Sequence, residues 1–317
     1  MDMQKIKELT ELNGVSGNED LVREYIKTTI SPYVDEIFTD ALGNLIAFKK
    51  GKSSNIDIML SAHMDEVGFI VTGYTDTGLI KFANVGGIDE RILPGKTVLL
   101  GDDKIPGVIS AKAIHLQERE EFLSNWKQRN LYIDIGTEKK DETESLVELG
   151  EYISFNSNFQ ELGEECVKAK ALDDRLGCAI LMEALKGTYE FNLYACFTVQ
   201  EEIGLRGAEV AAYRIKPDLA LVIEGTTCSD VPETEKHQHS TRLGKGAVLT
   251  IIDGSSYADK DLVNYIYKLA KDKNIPVQFK ETATGGNDAG KIQRTGIGVK
   301  VAIISVPCRY IHSPVSL

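Results

Sequence analysis

Apolar residues recur at helical spacing at Ile6, Leu9 and Leu12 and again at Val22, Ile26 and Ile30. This predicts two amphipathic helices with a turn between them. Ser16 followed by Glu19 reads as a capping box at the start of the second. The segment DALGNLIAFKKG reads as a strand and turn, and the apolar run Ile56, Ile58, Met59, Leu60 as a buried strand that ends at His63. From about Gly73 to Lys168 the texture changes to short β-rich pieces punctuated by glycine, such as GLIKFANVGG, KTVLLG and KIPGVISAKAI. Such turn spacing predicts a small β domain inserted into the chain. The acidic run EKKDETESLVELG within it reads as a solvated helix face.

From Ala169 onward long apolar strands alternate with helices. NLYACFTV and DLALVIE are apolar on both faces, as strands of a covered parallel sheet must be, and LGCAILMEAL reads as a helix buried between them. The pattern therefore predicts an α/β fold: a mixed, mostly parallel sheet between helices, built discontinuously from residues 1–72 and 169–317. An inserted small β-barrel domain is expected at residues 73–168.

Composition narrows the function classes. A chain of 317 residues with 42% hydrophobic and 26% charged content is an ordinary globular protein, and its net charge of −12 argues against nucleic-acid or anionic-membrane partners. No apolar run approaches a membrane span, and MDMQKIKELTEL lacks the basic start and apolar stretch of a signal peptide, so a cytoplasmic protein is expected. Five scattered cysteines, none in C-x-x-C spacing, indicate neither a disulfide framework nor a cysteine zinc site.

The chemistry collects at strand ends. SAHMDEVGFIV puts His63 and Asp65 just past one apolar strand, TVQEEIG puts Glu201 and Glu202 past another, LVIEG puts Glu224 at the end of the next, and VAIISVPCRYIHS puts His312 a short loop beyond the last. KALDDRLG adds Asp173 and Asp174 before a helix. Ligand sites in open α/β sheets form beyond the carboxyl ends of strands. Two histidines and several carboxylates there make an N and O donor set suited to zinc, cobalt or manganese. Singly, each has a plainer reading: a structural strand-end histidine, helix-capping aspartates, loop glutamates. His237 and His239, an H-x-H pair in a polar loop, read as a surface turn, and His115 is not counted as a ligand.

Six segments in order, GVSGNE, ALGNLIAFKKG, SAHMDEVGFIV, KALDDRLG, TVQEEIGLRGA and RYIHSP, resemble the glutamyl/deblocking aminopeptidase family, which includes tetrahedral aminopeptidases and proteins labelled endoglucanases. The resemblance spans nearly the whole chain and implies a zinc-peptidase-like fold with two divalent metal ions per subunit, zinc or cobalt foremost and manganese as a further candidate. It implies that Asp173 bridges both ions, that His63 and Glu224 complete one shell, and that Glu202 and His312 complete the other. By the same resemblance Asp65 receives a hydrogen bond from the far nitrogen of His63, and Glu201 is the general base. The implied substrates are short peptides with a free N-terminus, and the implied assembly is a hollow homo-oligomer, a dodecamer among the possibilities, with the β insert in an oligomerisation or lid role.

Three positions depart from the family pattern: Glu224 stands where Asp is usual, Asn287 where Thr is common before Asp288, and the sequence stops at HSPVSL where relatives continue into a closing helix. Two further readings stand beside the aminopeptidase. One is a non-catalytic or weakly active homologue with a shortened end. The other is a glycoside hydrolase, which needs two carboxyl groups flanking the bond rather than carboxylates grouped with histidines.

Overall fold

The computed structural model describes residues 2–53 and 55–317. In chain order the strands are β1 Glu36–Thr39, β2 Leu45–Lys49, β3 Asp57–His63, β4 Gly68–Tyr74, β5 Ile80–Val85, β6 Thr97–Leu100, β7 Ile105–Ser110, β8 Tyr132–Asp134, β9 Tyr152–Phe155, β10 Gln160–Leu162, β11 Cys166–Lys168, β12 Asn192–Thr198, β13 Leu219–Thr227, β14 Ala247–Thr250, β15 Val277–Phe279 and β16 Lys300–Cys308.

Eight of these form one sheet in the order β1-β2-β12-β3-β13-β16-β14-β15. Its centre, β12-β3-β13-β16, is parallel throughout, while β2 and β14 join it antiparallel. Parallel strands carry crossover helices on both faces, which is why they are apolar on both sides. Side-chain alternation divides the core accordingly. Leu45 and Ala47 pack with Ala195 and Phe197 under the helices Met3–Glu11, Asp20–Ile30 and Leu172–Ala184. Ile46 and Cys196 pack on the other face with Ala208, Val263 and Ala289, from Arg206–Ile215, Lys260–Asp272 and Ala289–Ile292.

The remaining long segment closes into a six-stranded barrel, β4-β5-β8-β7-β6-β9. Phe69 centres its core, with Phe82 and Phe155 set edge-on at centroid distances of 5.0 and 5.1 Å. The architecture is thus the mixed, mostly parallel sheet with a β-barrel that the sequence pattern predicts. The first barrel strand opens at Gly68, earlier than the expected boundary at residue 73. The acidic run inside it forms the helix Lys140–Leu146, which buries Thr143.

The predicted capping box is not made. Glu19 precedes the helix Asp20–Ile30 without a side-chain capping bond, and its Oε1 instead accepts the amides of Gly17 (2.8 Å) and Gln200 (3.1 Å). The Ser16 hydroxyl points away from the helix and donates to Asp65 Oδ2 at 2.5 Å. A serine and glutamate at capping-box spacing were drawn off by a buried polar site on neighbouring strands.

Candidate metal centre

The parallel centre of the sheet delivers its polar residues to one edge. His63 is the last residue of β3, Glu201 and Glu202 follow β12, Glu224 lies in β13, and His312 lies on the loop after β16. Asp173 comes from the opposite direction, at the start of the Leu172–Ala184 helix, where the Asp173–Asp174 peptide is cis.

Asp173 faces both histidines with separate oxygens: Oδ1 is 3.4 Å from His63 Nε2 and Oδ2 is 3.7 Å from His312 Nε2. Glu224 Oε1 stands 3.2 Å from the same nitrogen of His63, and Glu202 Oε2 stands 3.3 Å from that of His312. Ligand atoms of His63, Asp173 and Glu224 therefore gather within 4.8 Å of one another, as do those of Asp173, Glu202 and His312 and those of His63, Glu201 and Glu202. Each group could hold a metal ion. The donor set fits a cation: Asp173 Oδ1 is buried without a hydrogen-bond partner among the described residues. An acceptor buried that way is costly unless something positive meets it.

The electrostatics agree. Removal from water pushes the carboxyl groups of Glu201 and Glu202 well above the ordinary range, and the neighbouring acids, Glu224 for the first and Asp173 for the second, push further. Burial likewise raises Glu224 to about 8. Burial opposes charge on Asp173 too, but the two imidazoles that face it, His63 foremost, hold it at about 2. Burial alone would depress His63; the charge of Glu224 and the close approach of the Asp173 and Asp65 carboxylates carry it well above its usual value. A site crowded with acids and shared protons is one in which divalent cations displace protons.

Asp65 does more than was expected, and by a different bond. The His63 Nδ1–H donates to its main-chain carbonyl at 3.1 Å, with the carboxylate at 3.4 Å. This sets the tautomer that leaves Nε2 free. The Asp65 carboxylate itself accepts the amides of Glu201 (3.0 Å) and Glu202 (3.1 Å), fixing the segment that carries both glutamates. Asp174 is also a scaffold, accepting from the His63 amide (3.3 Å) and the Gly177 amide (3.0 Å).

His237 and His239 lie in and after a short turn and belong to no metal-capable group among the described residues, and His115 is exposed. Four contributors escaped the sequence reading as site residues. Ser16 and Glu19 hold the Gln200–Glu202 backbone directly or through Asp65. Asp288 is buried against Thr198 (2.6 Å) and Ser61 (3.3 Å). Lys280 lines a cavity of about 390 Å³ together with His63, Asp173, Glu201 and Glu224. Polar residues inside GVSGNE, between two apolar helices, were the available signal for the first pair.

Residues 43–317 match the family model described as M42 glutamyl aminopeptidase. An Acetivibrio thermocellus protein provisionally named an aminopeptidase is 39% identical over 98% of this chain and 91% of its own. The TET aminopeptidase of a marine-sediment thaumarchaeon superposes with a TM-score of 0.95 at 34% identity, covering 99% of this chain and 90% of that one. The Pyrococcus horikoshii TET1 peptidase, described as assembling into a tetrahedron or a large octahedral shell, gives 0.87 at 35% identity over 99% and 93%.

Proposed function

Because the chain belongs to the M42 glutamyl aminopeptidase family, a family of peptide hydrolases, we propose that it is a two-metal aminopeptidase that trims short peptides from a free N-terminus. The observation that carries this reading is Asp173, which offers one oxygen toward each histidine. In it, His63, Glu224 and Asp173 would hold one ion, and Glu202, His312 and Asp173 would hold the other. Zinc or cobalt suits this N and O set best, and manganese is compatible. Divalent ions held there polarise the scissile carbonyl and make water acidic.

The remaining work belongs to side chains. Glu201 takes a proton from the water whose oxygen attacks the carbonyl carbon. It passes that proton to the leaving nitrogen as the C–N bond breaks. The Asp65 hold on its amide keeps it aimed. Glu224, longer than the usual Asp, still brings its oxygen within 3.2 Å of His63 Nε2, which supports its inclusion.

Residues 1–72 and 169–317 would form the catalytic body, and the barrel region 73–168 would serve as lid or assembly module. Homo-oligomeric assembly, a dodecamer among the candidates, is supported by the tetrahedron and octahedral shell described for the Pyrococcus horikoshii relative and by the PhTET1 structure described as a dodecamer. A cytoplasmic location is supported by five free thiols, four of them buried. No helix among the described residues is long and apolar enough to cross a membrane. The segment beyond His312 is tied back by main-chain bonds between Ser316 and Ala169 (2.7 and 3.1 Å) and between Leu317 and Arg309 (2.9 and 3.1 Å).

The deciding test is cleavage of a mixed short-peptide library, half of it N-acetylated, by metal-loaded protein and a chelated control, read by mass spectrometry. Trimming confined to free-amine peptides and to loaded protein is expected. No cleavage with zinc, cobalt or manganese would favour the non-catalytic homologue, and cleavage of acetylated peptides would refute the aminopeptidase.

A further inference from the structure

Beside the candidate centre lies a buried ion cluster with no role in the chemistry above. Glu66, Lys170 and Arg175 are 2%, 3% and 0% exposed. The Lys170 ammonium donates to Glu66 Oε1 (2.6 Å) and to the Leu12 carbonyl (2.7 Å). Arg175 Nε donates to the Met64 carbonyl (2.7 Å), and its Nη2 lies 3.5 Å from Glu66 Oε1. Met64 and Glu66 closely follow His63 in the chain, while Lys170 and Arg175 stand on either side of Asp173. Two cross-links, Lys170 to Glu66 and Arg175 to Met64, therefore tie the segment that carries one candidate ligand to the segment that carries another. Glu66 and Lys170 also line a cleft of about 10 Å³, room for about one water, together with Asp173, Glu202 and His312.

Stability does not call for a charged pair here. Taking two charges out of water costs about as much as their attraction returns, and an apolar pair of similar volume is often as stable or more so. Burial holds the Lys170 ammonium down to about 8 against the pull of Glu66, with the charge of Arg175 adding to the depression. Nor does the C-terminus of the helix Met3–Glu11 depend on Lys170, because Arg175 Nη1 donates to both the Leu9 and Leu12 carbonyls. What an ion pair supplies and an apolar contact does not is a fixed length and direction. We infer that Glu66 and Lys170 are positioning residues for the candidate metal centre: their bond sets the placement of the Asp173 carboxylate between His63 and His312. This rests on the two-metal reading, since it takes Asp173 as the shared ligand. A carboxylate that must meet two cations tolerates little displacement. The pair also spans the two legs of chain between body and barrel, Glu66 ahead of β4 and Lys170 after β11.

The test uses the full chain carrying Glu66→Gln and Lys170→Met together. One negative and one positive charge are removed, so the net charge beside the site is unaltered and a long-range field cannot account for any effect. The substituted side chain at 66 keeps an oxygen for the Gly14 amide, which Glu66 accepts at 3.0 Å. The readouts are zinc affinity by competition with a chelator, the visible spectrum of the cobalt-loaded protein, the urea midpoint of the metal-free protein, and kcat and KM on a free-amine dipeptide. Wild type is expected to bind two zinc ions. The double variant should hold its weaker ion about 10–100-fold less tightly, the usual effect of removing a support behind metal ligands. Its cobalt spectrum should change and its kcat fall with little change in KM, while its urea midpoint stays at or above that of wild type. Zinc affinity and cobalt spectrum equal to those of wild type overturn the proposal and leave the two-metal site standing. So does a double variant that fails to fold or unfolds at lower urea, which assigns the pair to the core. A wild-type protein that binds no zinc, cobalt or manganese refutes the two-metal reading and the proposal with it.

Discussion

The two histidines of the candidate centre face the same aspartate, yet they are held in opposite ways. His63 is 1% exposed. Its ring is fixed by the Asp65 carbonyl and its amide by Asp174, and Asp65 is itself fixed by Ser16 and by the amides of Glu201 and Glu202. The His312 side chain is 40% exposed and stands on a loop with a φ of +58°. One histidine is therefore part of the core, and the other stands at the solvent edge beside a buried Glu202. The difference teaches that a two-ion site need not bind its ions equally: preorganised ligands lose little entropy on closing around a cation, while exposed ones lose more.

The largest effect should come from the rigid half. Glu201→Gln should lower kcat by about 10²–10⁴-fold while atomic-emission metal analysis still finds the wild-type content. Activity within tenfold of wild type would remove Glu201 from the mechanism and detach the base from the rigid half. Next in size is the contrast between the histidines. After dialysis against limiting zinc, His312→Ala should retain about one ion per chain, whereas His63→Ala should lose both ions and unfold at lower urea, because buried Asp173 and Glu224 are left facing each other. Equal losses in the two variants would break the comparison.

The smallest effect sharpens it. Burial, aided by the charge of Asp65, raises the carboxyl of Glu19 to about 7. A folded-state pKa above the unfolded value means the native state holds the proton more tightly, so this contribution is full below about 4.5 and lost as pH rises through 7. Glu19→Gln keeps an oxygen for the Gly17 and Gln200 amides but cannot ionise. Its urea midpoint relative to wild type should therefore rise between pH 5 and pH 8. A flat difference would show that Glu19 is not strained by its surroundings.

Much of this was legible in the sequence because strands and donors announce themselves. Apolar runs ending in His63, Glu224 or the Glu201–Glu202 pair gave the parallel sheet and its active edge, and the glycine-punctuated stretch gave the barrel. What escaped were supports that act through oxygen atoms rather than residue type. Ser16 and Glu19 matched a local capping pattern, and only the approach of β3 and the loop after β12 shows where their bonds go. Lys280 sits in a loop of polar residues whose spacing carries no period, so its place on the cavity wall is a property of the tertiary fold alone.

The barrel leaves the main chain at Gly68, directly after Asp65, and the chain returns through β11 only just ahead of Asp173. Both attachment points thus adjoin the candidate centre. A load on the barrel, from a neighbouring subunit or a docking partner, would therefore reach His63 and Asp173 through a few peptide units. For protein engineering the same feature removes modularity, since grafting another barrel between these points also rewrites the spacing of the ligands themselves.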